Sequence, residues 1–211
     1  MSWVARSVEN ILPLSEEASE LATALREWAY TGDMYDLETP EETCELCEHP
    51  DIRYQFKIVN RHNGNELLVG SECINKFGIA ATDELGNILD WEDSRRRVNR
   101  DRRFLVNEAR KRRMINTLVC LSSAEQGFDI DSFISYVTDR DAFTPNQLAL
   151  LFWRLDHNQI DYVPSDFKIV IRRNREKAQL RQMADWKIKR LWRALSSSQR
   201  NWVQDNTNYE P

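Results

Sequence analysis

Cys44 and Cys47 are separated by two residues in Thr43-Cys44-Glu45-Leu46-Cys47, and Cys73 follows in Val69-Gly70-Ser71-Glu72-Cys73. Two thiolates at that spacing face one tetrahedral ion across a tight turn. Cys73 joins them if the chain between folds back as a hairpin. These residue types predict a zinc site, Zn2+ being the cofactor expected. The fourth ligand is open among four residues. His49, two residues beyond Cys47, is favoured, which gives the set Cys44, Cys47, Cys73 and His49. His62 falls in the expected hairpin turn. Seven extended residues at ~3.3 Å each reach roughly 23 Å, so that turn is distant from the knuckle unless the hairpin is short or bent. Cys120 lies between Val119 and Leu121 and reads most simply as a buried packing residue. Asp51 is the remaining option.

Other chemistry lacks its residues. The chain has no His-Glu-x-x-His, no zinc-deaminase signature and no phosphate loop. No nucleophile triad or spaced carboxylate pair stands out, and no catalytic residue is assigned. The chain is read as non-enzymatic.

The elements around the cysteines are legible. Residues 52–59 alternate polar and apolar with a period of two. Asn60 to Asn65 follow, including the Asn63-Gly64 dipeptide that favours tight turns, and residues 66–70 make the return strand. Cys73 then opens a short helix. Knuckle, hairpin and helix start occur in the order of a treble-clef zinc finger. Residues 42–80 resemble that class, and look like the small Cys-x2-Cys modules ending in Val-Gly-Ser-x-Cys found in phage and bacterial proteins of unassigned role. The resemblance implies zinc and a fold type, not an activity. One departure stands out: a treble-clef helix supplies a second ligand about three residues after the first, and position 76 here is Lys. A His-Asn-His nuclease would need a His on the helix, and only His62 and Asn75 are candidates for any of its roles.

Elsewhere the chain reads as helical. Ser15, Glu16 and Glu17 followed by Leu21, Leu25 and Trp28 predict a helix over 15–31, and residues 33–43 read as an acidic linker. A second small hairpin is expected over 78–89, turning at Glu84-Leu85-Gly86-Asn87. A long helix over 92–122 has almost no apolar face in its first half, which is expected in solvent or on a partner, while its second half packs. Helices follow over 130–139 and 145–157, the latter opened by Thr144-Pro145-Asn146-Gln147 as a capping box. Residues 167–171 fit strand or helix equally. A helix over 174–195 carries Leu180, Ala184, Ile188, Leu191 and Leu195, and Ser196-Ser197-Ser198-Gln199, a Ser-x-x-Gln start matching the Thr-x-x-Gln at 144, caps a last short one. The expected class is α+β, a small zinc-stabilised β-hairpin module within a mostly α-helical protein. The expected segments are 1–41, 42–90 and 91–211.

Charge gives the functional expectation. The chain of 211 residues has 29 Lys and Arg against 34 Asp and Glu, a formal net charge of −5. The average hides a segregation. Between Glu9 and Asp51 the acids face Arg26 alone, whereas residues 95–113 are dominated by Arg95, Arg96, Arg97, Arg100, Arg102, Arg103, Arg110, Lys111, Arg112 and Arg113. Like charges at i,i+4 destabilise a helix, so an acidic partner is expected, either phosphate or the chain's own acidic N-terminal segment. The leading expectation is nucleic acid, its phosphates held by Arg95, Arg96, Arg97, Arg100, Arg103, Arg110, Arg112 and Arg113. The alternative is an adaptor or inhibitor of phage or mobile-element type. Its acidic segment would occupy the groove of a nucleic-acid-binding protein. The basic residues of 168–193 lie opposite an apolar stripe and read as a solvated face. No apolar run is long enough for a membrane span, and the opening residues lack a secretory pattern, so a cytoplasmic setting with reduced thiols is expected.

Overall fold

The computed structural model describes residues 2–211. The protein is mixed α and β, with nine α-helices and a four-stranded sheet among the described residues. It divides into two compact units, Met1–Ala109 and Arg110–Pro211. The division falls inside the long helix, not near residues 41 or 90, because the acidic N-terminal segment folds into the same sheet as the hairpin. No helix among the described residues is long and apolar enough to cross a membrane.

The first unit opens with α1 (Trp3–Ile11), capped by the Ser2 hydroxyl, which accepts the Ala5 N–H at 3.2 Å. After a 3-10 turn at Leu12–Leu14 and the short α2 (Leu21–Leu25) comes β1 (Trp28–Asp36). It is followed by β2 (Tyr54–Asn60), β3 (Glu66–Val69), α3 (Ser71–Phe77) and β4 (Ala80–Ala81). The sheet order is β3-β2-β1-β4, with β4 parallel to β1 and the other pairs antiparallel. The expected hairpin is present, with Phe56 opposite Val69 and Ile58 opposite Leu67. Beyond β4, Asp83 closes the expected turn by accepting the N–H groups of Leu85 and Asn87, each at 2.8 Å, and Thr82 bridges to Ile88.

The helix expected over 15–31 is corrected to five helical residues followed by a strand. Trp28, Ala29 and Tyr30 are all buried. Three consecutive buried side chains need cover on both sides, which a central strand has and a surface helix lacks. Glu27 lies in the turn between helix and strand. Its buried carboxylate accepts the N–H groups of Glu16 and Glu17, each at 2.8 Å, and the Asn60 amide at 2.7 Å. Residues 33–36 of the expected linker are likewise strand. The register slips between Tyr30 and Met34, where Gly32 takes φ +110°. A Cβ there would press on the Arg97 guanidinium, which donates to the Thr31 carbonyl at 3.2 Å. Glycine is required by its backbone angle, and the Arg97 side chain takes the space that a Cβ would need.

The long helix α4 (Trp91–Ala124) gives its residues up to Ala109 to the first unit. That half is not free, contrary to expectation. Val98 is fully buried and Leu105 nearly so, in one core with Trp28, Tyr30, Phe56, Ile58 and Ile74. Asp101 accepts the Tyr30 hydroxyl at 3.0 Å and the Arg100 Nε at 3.1 Å, and the Arg97 guanidinium lies over the Tyr30 ring. The sequence pattern hides this anchor because it consists of one valine, one leucine and a buried ionic group.

The second unit begins within α4, whose Met114, Leu118 and Leu121 are buried. It continues through α5 (Ile130–Arg140), α6 (Pro145–His157), α7 (Asn174–Arg181), α8 (Asp185–Leu191) and α9 (Ser197–Asn206). Both predicted capping boxes form, at Thr144/Gln147 and at Ser196/Gln199. Residues 167–171 are neither strand nor helix. Phe167 and Ile169 point inward, and a single bridge pairs Ile169 with Phe143. The helix expected over 174–195 breaks after Arg181. Ala184 is extended, and Asp185 restarts the helix with an acid in its first turn. The break lets Leu180, Met183 and Ile188 all reach one core.

Tyr30→Phe is expected to lower the unfolding free energy by about 2 kcal/mol, the value of a hydrogen bond to a buried charged group. Urea denaturation of both proteins at one pH measures it, and equal midpoints would mean that Asp101 is held by its arginines alone.

Candidate metal centre

The Cys44 and Cys47 sulfurs are brought together by a turn that closes on itself. The Cys44 N–H donates to the His49 carbonyl at 2.9 Å, and the Glu48 N–H to the Cys44 carbonyl at 2.8 Å. Glu48 and Asp51 adopt left-handed backbone angles, φ 58° and 60°, to complete the turn. Glu42 and Ile52 pair at its base. The turn docks on β3 through Glu45, whose N–H donates to the Leu68 carbonyl at 3.0 Å and whose carboxylate accepts the Leu68 N–H. From the other side α1 holds it. Arg6 Nε donates to the Cys47 carbonyl at 2.9 Å and the Asn10 amide to the Leu46 carbonyl at 3.3 Å.

The hairpin returns the chain at Gly70, and Cys73 sits in the first turn of α3. Its sulfur lies 3.0 Å from that of Cys47 and 3.6 Å from that of Cys44. All three sulfurs lie within 4.8 Å of one another and all three residues are buried. They are free thiols. Sulfurs about 2.3 Å from a tetrahedral ion stand about 3.8 Å apart, so the donor set fits a thiophilic metal. Three cysteines at this spacing can hold a metal ion.

The electrostatics favour charge on sulfur. The Cys73 S–H lowers the Cys44 thiol to about 5 against the effect of burial, and the backbone N–H groups of Gly70, Cys47 and Leu46 add to it. Cys73 is pushed up because it keeps the proton that it donates to Cys44, and burial adds to that. A metal ion takes the place of such protons.

A cavity of about 440 Å³ opens beside the sulfurs, lined among others by Trp3, Arg6, His49, Tyr54, Lys76 and Arg102. His49 lines this cavity and is exposed, but it is not among the three clustered donors. His62 lies elsewhere, its Nδ1 3.3 Å from the Glu16 carboxylate. Asp51 is exposed. Cys120, expected to be buried, is exposed and belongs to the second unit, since it faces away from the Leu118 and Leu121 side of α4. Sequence reasoning missed α1 as the clasp on the turn. The signal available was Ser2 followed by apolar residues at helical spacing, Val4, Val8 and Ile11.

The eight expected phosphate-binding arginines separate into two groups. Arg97, Arg110 and Arg113 build the fold. Arg97 is clamped at Tyr30 and Thr31. Arg110 is buried and donates to the Asp166 carbonyl at 2.6 Å and to Asp141 at 2.8 Å. Arg113 grips the Asp166 carboxylate with two nitrogens, at 2.7 and 2.6 Å. Arg95, Arg96, Arg100, Arg103 and Arg112 are exposed. Arg95 lies over the exposed Trp91 ring, 5.5 Å from its centroid. Arg96 pairs with Glu92 and Asp93 one turn earlier, at 2.8 and 3.2 Å. No protein family, curated protein or solved structure matches the chain.

The three clustered cysteines are expected to resist alkylation while metal is bound, whereas Cys120 reacts at once. Mass spectrometry after brief iodoacetamide treatment should find one label per chain, rising to four after chelation. Four labels without chelation would mean that no metal protects the cluster.

Proposed function

We propose that this is a non-catalytic zinc protein that associates with nucleic acid, its metal site organising the first unit in the manner of a treble-clef finger. The convergence of Cys44, Cys47 and Cys73 supports zinc. Thiolates at a knuckle and a helix start suit that ion, and a structural site is closed by four protein ligands. His49 is assigned as the fourth. Its backbone is already fixed by the Cys44 N–H, and the residue borders the cavity beside the sulfurs. Lys76, where a treble clef has its second helix ligand, lines the same cavity as a cation that offsets thiolate charge.

The observation that carries the nucleic-acid reading is the exposed face of α4. Arg96, Arg100 and Arg103 recur at i, i+4 and i+7 and border one groove. Of the acids that touch them, Glu92 and Asp93 are exposed, and exposed pairs hold weakly enough for a phosphate to replace them, whereas the buried Asp101 stays committed to Tyr30; Asp83 and Glu84 also border the groove. The Trp91–Arg95 stack beside this face offers a base an aromatic surface. A second reading has an observation of its own. Glu41, Glu42 and Asp51 are exposed around the knuckle with no cation in ion-pair range among the described residues, as a segment that mimics phosphate would be.

Two experiments test these assignments. Cobalt-substituted protein should show the visible absorption of three sulfurs and one nitrogen. His49→Ala should change that spectrum and weaken metal retention, and His49→Cys should restore four-ligand binding. A spectrum indifferent to His49 removes it from the site. For nucleic acid, reversing Arg96, Arg100 and Arg103 to Glu should lower affinity for labelled DNA or RNA at least roughly tenfold and flatten its salt dependence. Neutralising Glu41, Glu42 and Asp51 should leave or strengthen it. If the arginine reversal changes nothing and acid neutralisation abolishes capture of a protein partner, the second reading replaces the first.

A further inference from the structure

The second unit contains a cationic groove that the α4 reading does not use. Its volume is about 740 Å³, and three separate parts of the chain supply its charge: Arg140 at the end of α5, Lys168 and Arg172 on the extended segment after Phe167, and Arg193 and Arg200 on either side of Ser196. The one acid on its wall is Asp141. That carboxylate is already taken, by Lys168 at 2.6 Å and by Arg110 at 2.8 Å. Arg172 and Arg193 are exposed, and among the described residues no carboxylate lies in ion-pair range of either guanidinium. Arg200 is held in place rather than neutralised. Its Nε donates to the Trp192 carbonyl at 3.0 Å and its guanidinium lies over the Trp192 ring. The Ser196 and Ser197 hydroxyls complete the wall, at the start of α9. This is more positive charge than the solvated face expected of residues 168–193, where signs would mix. Groups of like charge drawn together from three chain segments repel one another, and a bound anion removes the repulsion.

We propose that this groove binds the phosphodiester backbone of a nucleic-acid strand. The ligand class rests on the nucleic-acid reading above, but the site is separate. Arginine forks and serine hydroxyls suit phosphate oxygens. No aromatic ring lines the groove, so bases are not stacked within it and the contact is indifferent to sequence. A free di- or triphosphate has the same chemistry, and the test separates the two.

The experiment uses the 211-residue, metal-loaded protein labelled with 15N, titrated with a decathymidylate and, separately, with pyrophosphate. The decathymidylate is expected to shift the amide signals of residues 196–200 and of Arg172. The double change Arg172→Gln and Arg193→Gln should weaken that response roughly tenfold, both side chains being exposed and replaceable without unfolding. The same response should persist in the variant with Arg96, Arg100 and Arg103 reversed, so failure of the α4 reading and failure of this one are distinguishable. Shifts with pyrophosphate but not with the oligonucleotide would overturn the strand assignment. Silence with both, or shifts indifferent to Arg172 and Arg193, would overturn the site.

Discussion

Three sulfurs confined to a space less than 4.8 Å across set the terms for the whole first unit. As thiolates they repel, and as thiols they bury three weak hydrogen-bonding groups with little to bond but one another. A cation between them resolves both difficulties. The turn at 44–49, the return of the β2–β3 hairpin and the start of α3 meet at this point. Helix α1 adds two side-chain bonds to the carbonyls of the turn, from Arg6 and Asn10, which fix the direction from which the sulfurs are presented.

The legibility of the sequence follows from how local each signal was. The cysteine spacing, the Asn-Gly turn and the two capping boxes are short-range patterns, and each has its expected form in the structure. Trp28 misled because residues 21, 25 and 28 fit a helical stripe, while the decisive fact is pairing with β2 about 30 residues later, Trp28 opposite Asn60. Tertiary pairing overrode a local periodicity. The anchor of α4 was hidden for a related reason. A buried Asp101 and a clamped Arg97 look, in sequence, like two more surface charges. The fourth metal ligand was left open because ligand spacing does not determine where a side chain on an exposed loop points.

The arginines show that charge density and charge availability are different quantities. Residues 95–113 form the densest basic run of the chain, yet Arg97, Arg110 and Arg113 are committed to a buried tyrosine, two backbone carbonyls and two carboxylates. Each of these ion pairs has one buried partner, Arg110 or Asp166, and removing the other partner leaves that buried charge uncompensated. Residues 168–193, with a lower density of charge, include guanidinium groups that meet no carboxylate. Availability was set by which acids the fold placed nearby, and that could not be read from counts.

The double contact between Glu45 and Leu68 has a consequence for the sheet itself. Strand β3 is the outermost strand on its side, and Leu68 presents its N–H and carbonyl outward, away from β2. Glu45 occupies both groups, so the knuckle shields the rim of the sheet. An open rim is a template on which a second chain can add a strand. Holding the knuckle closed on Leu68 thus blocks the pairing positions of that residue, at which a second copy of the chain would otherwise add its strand.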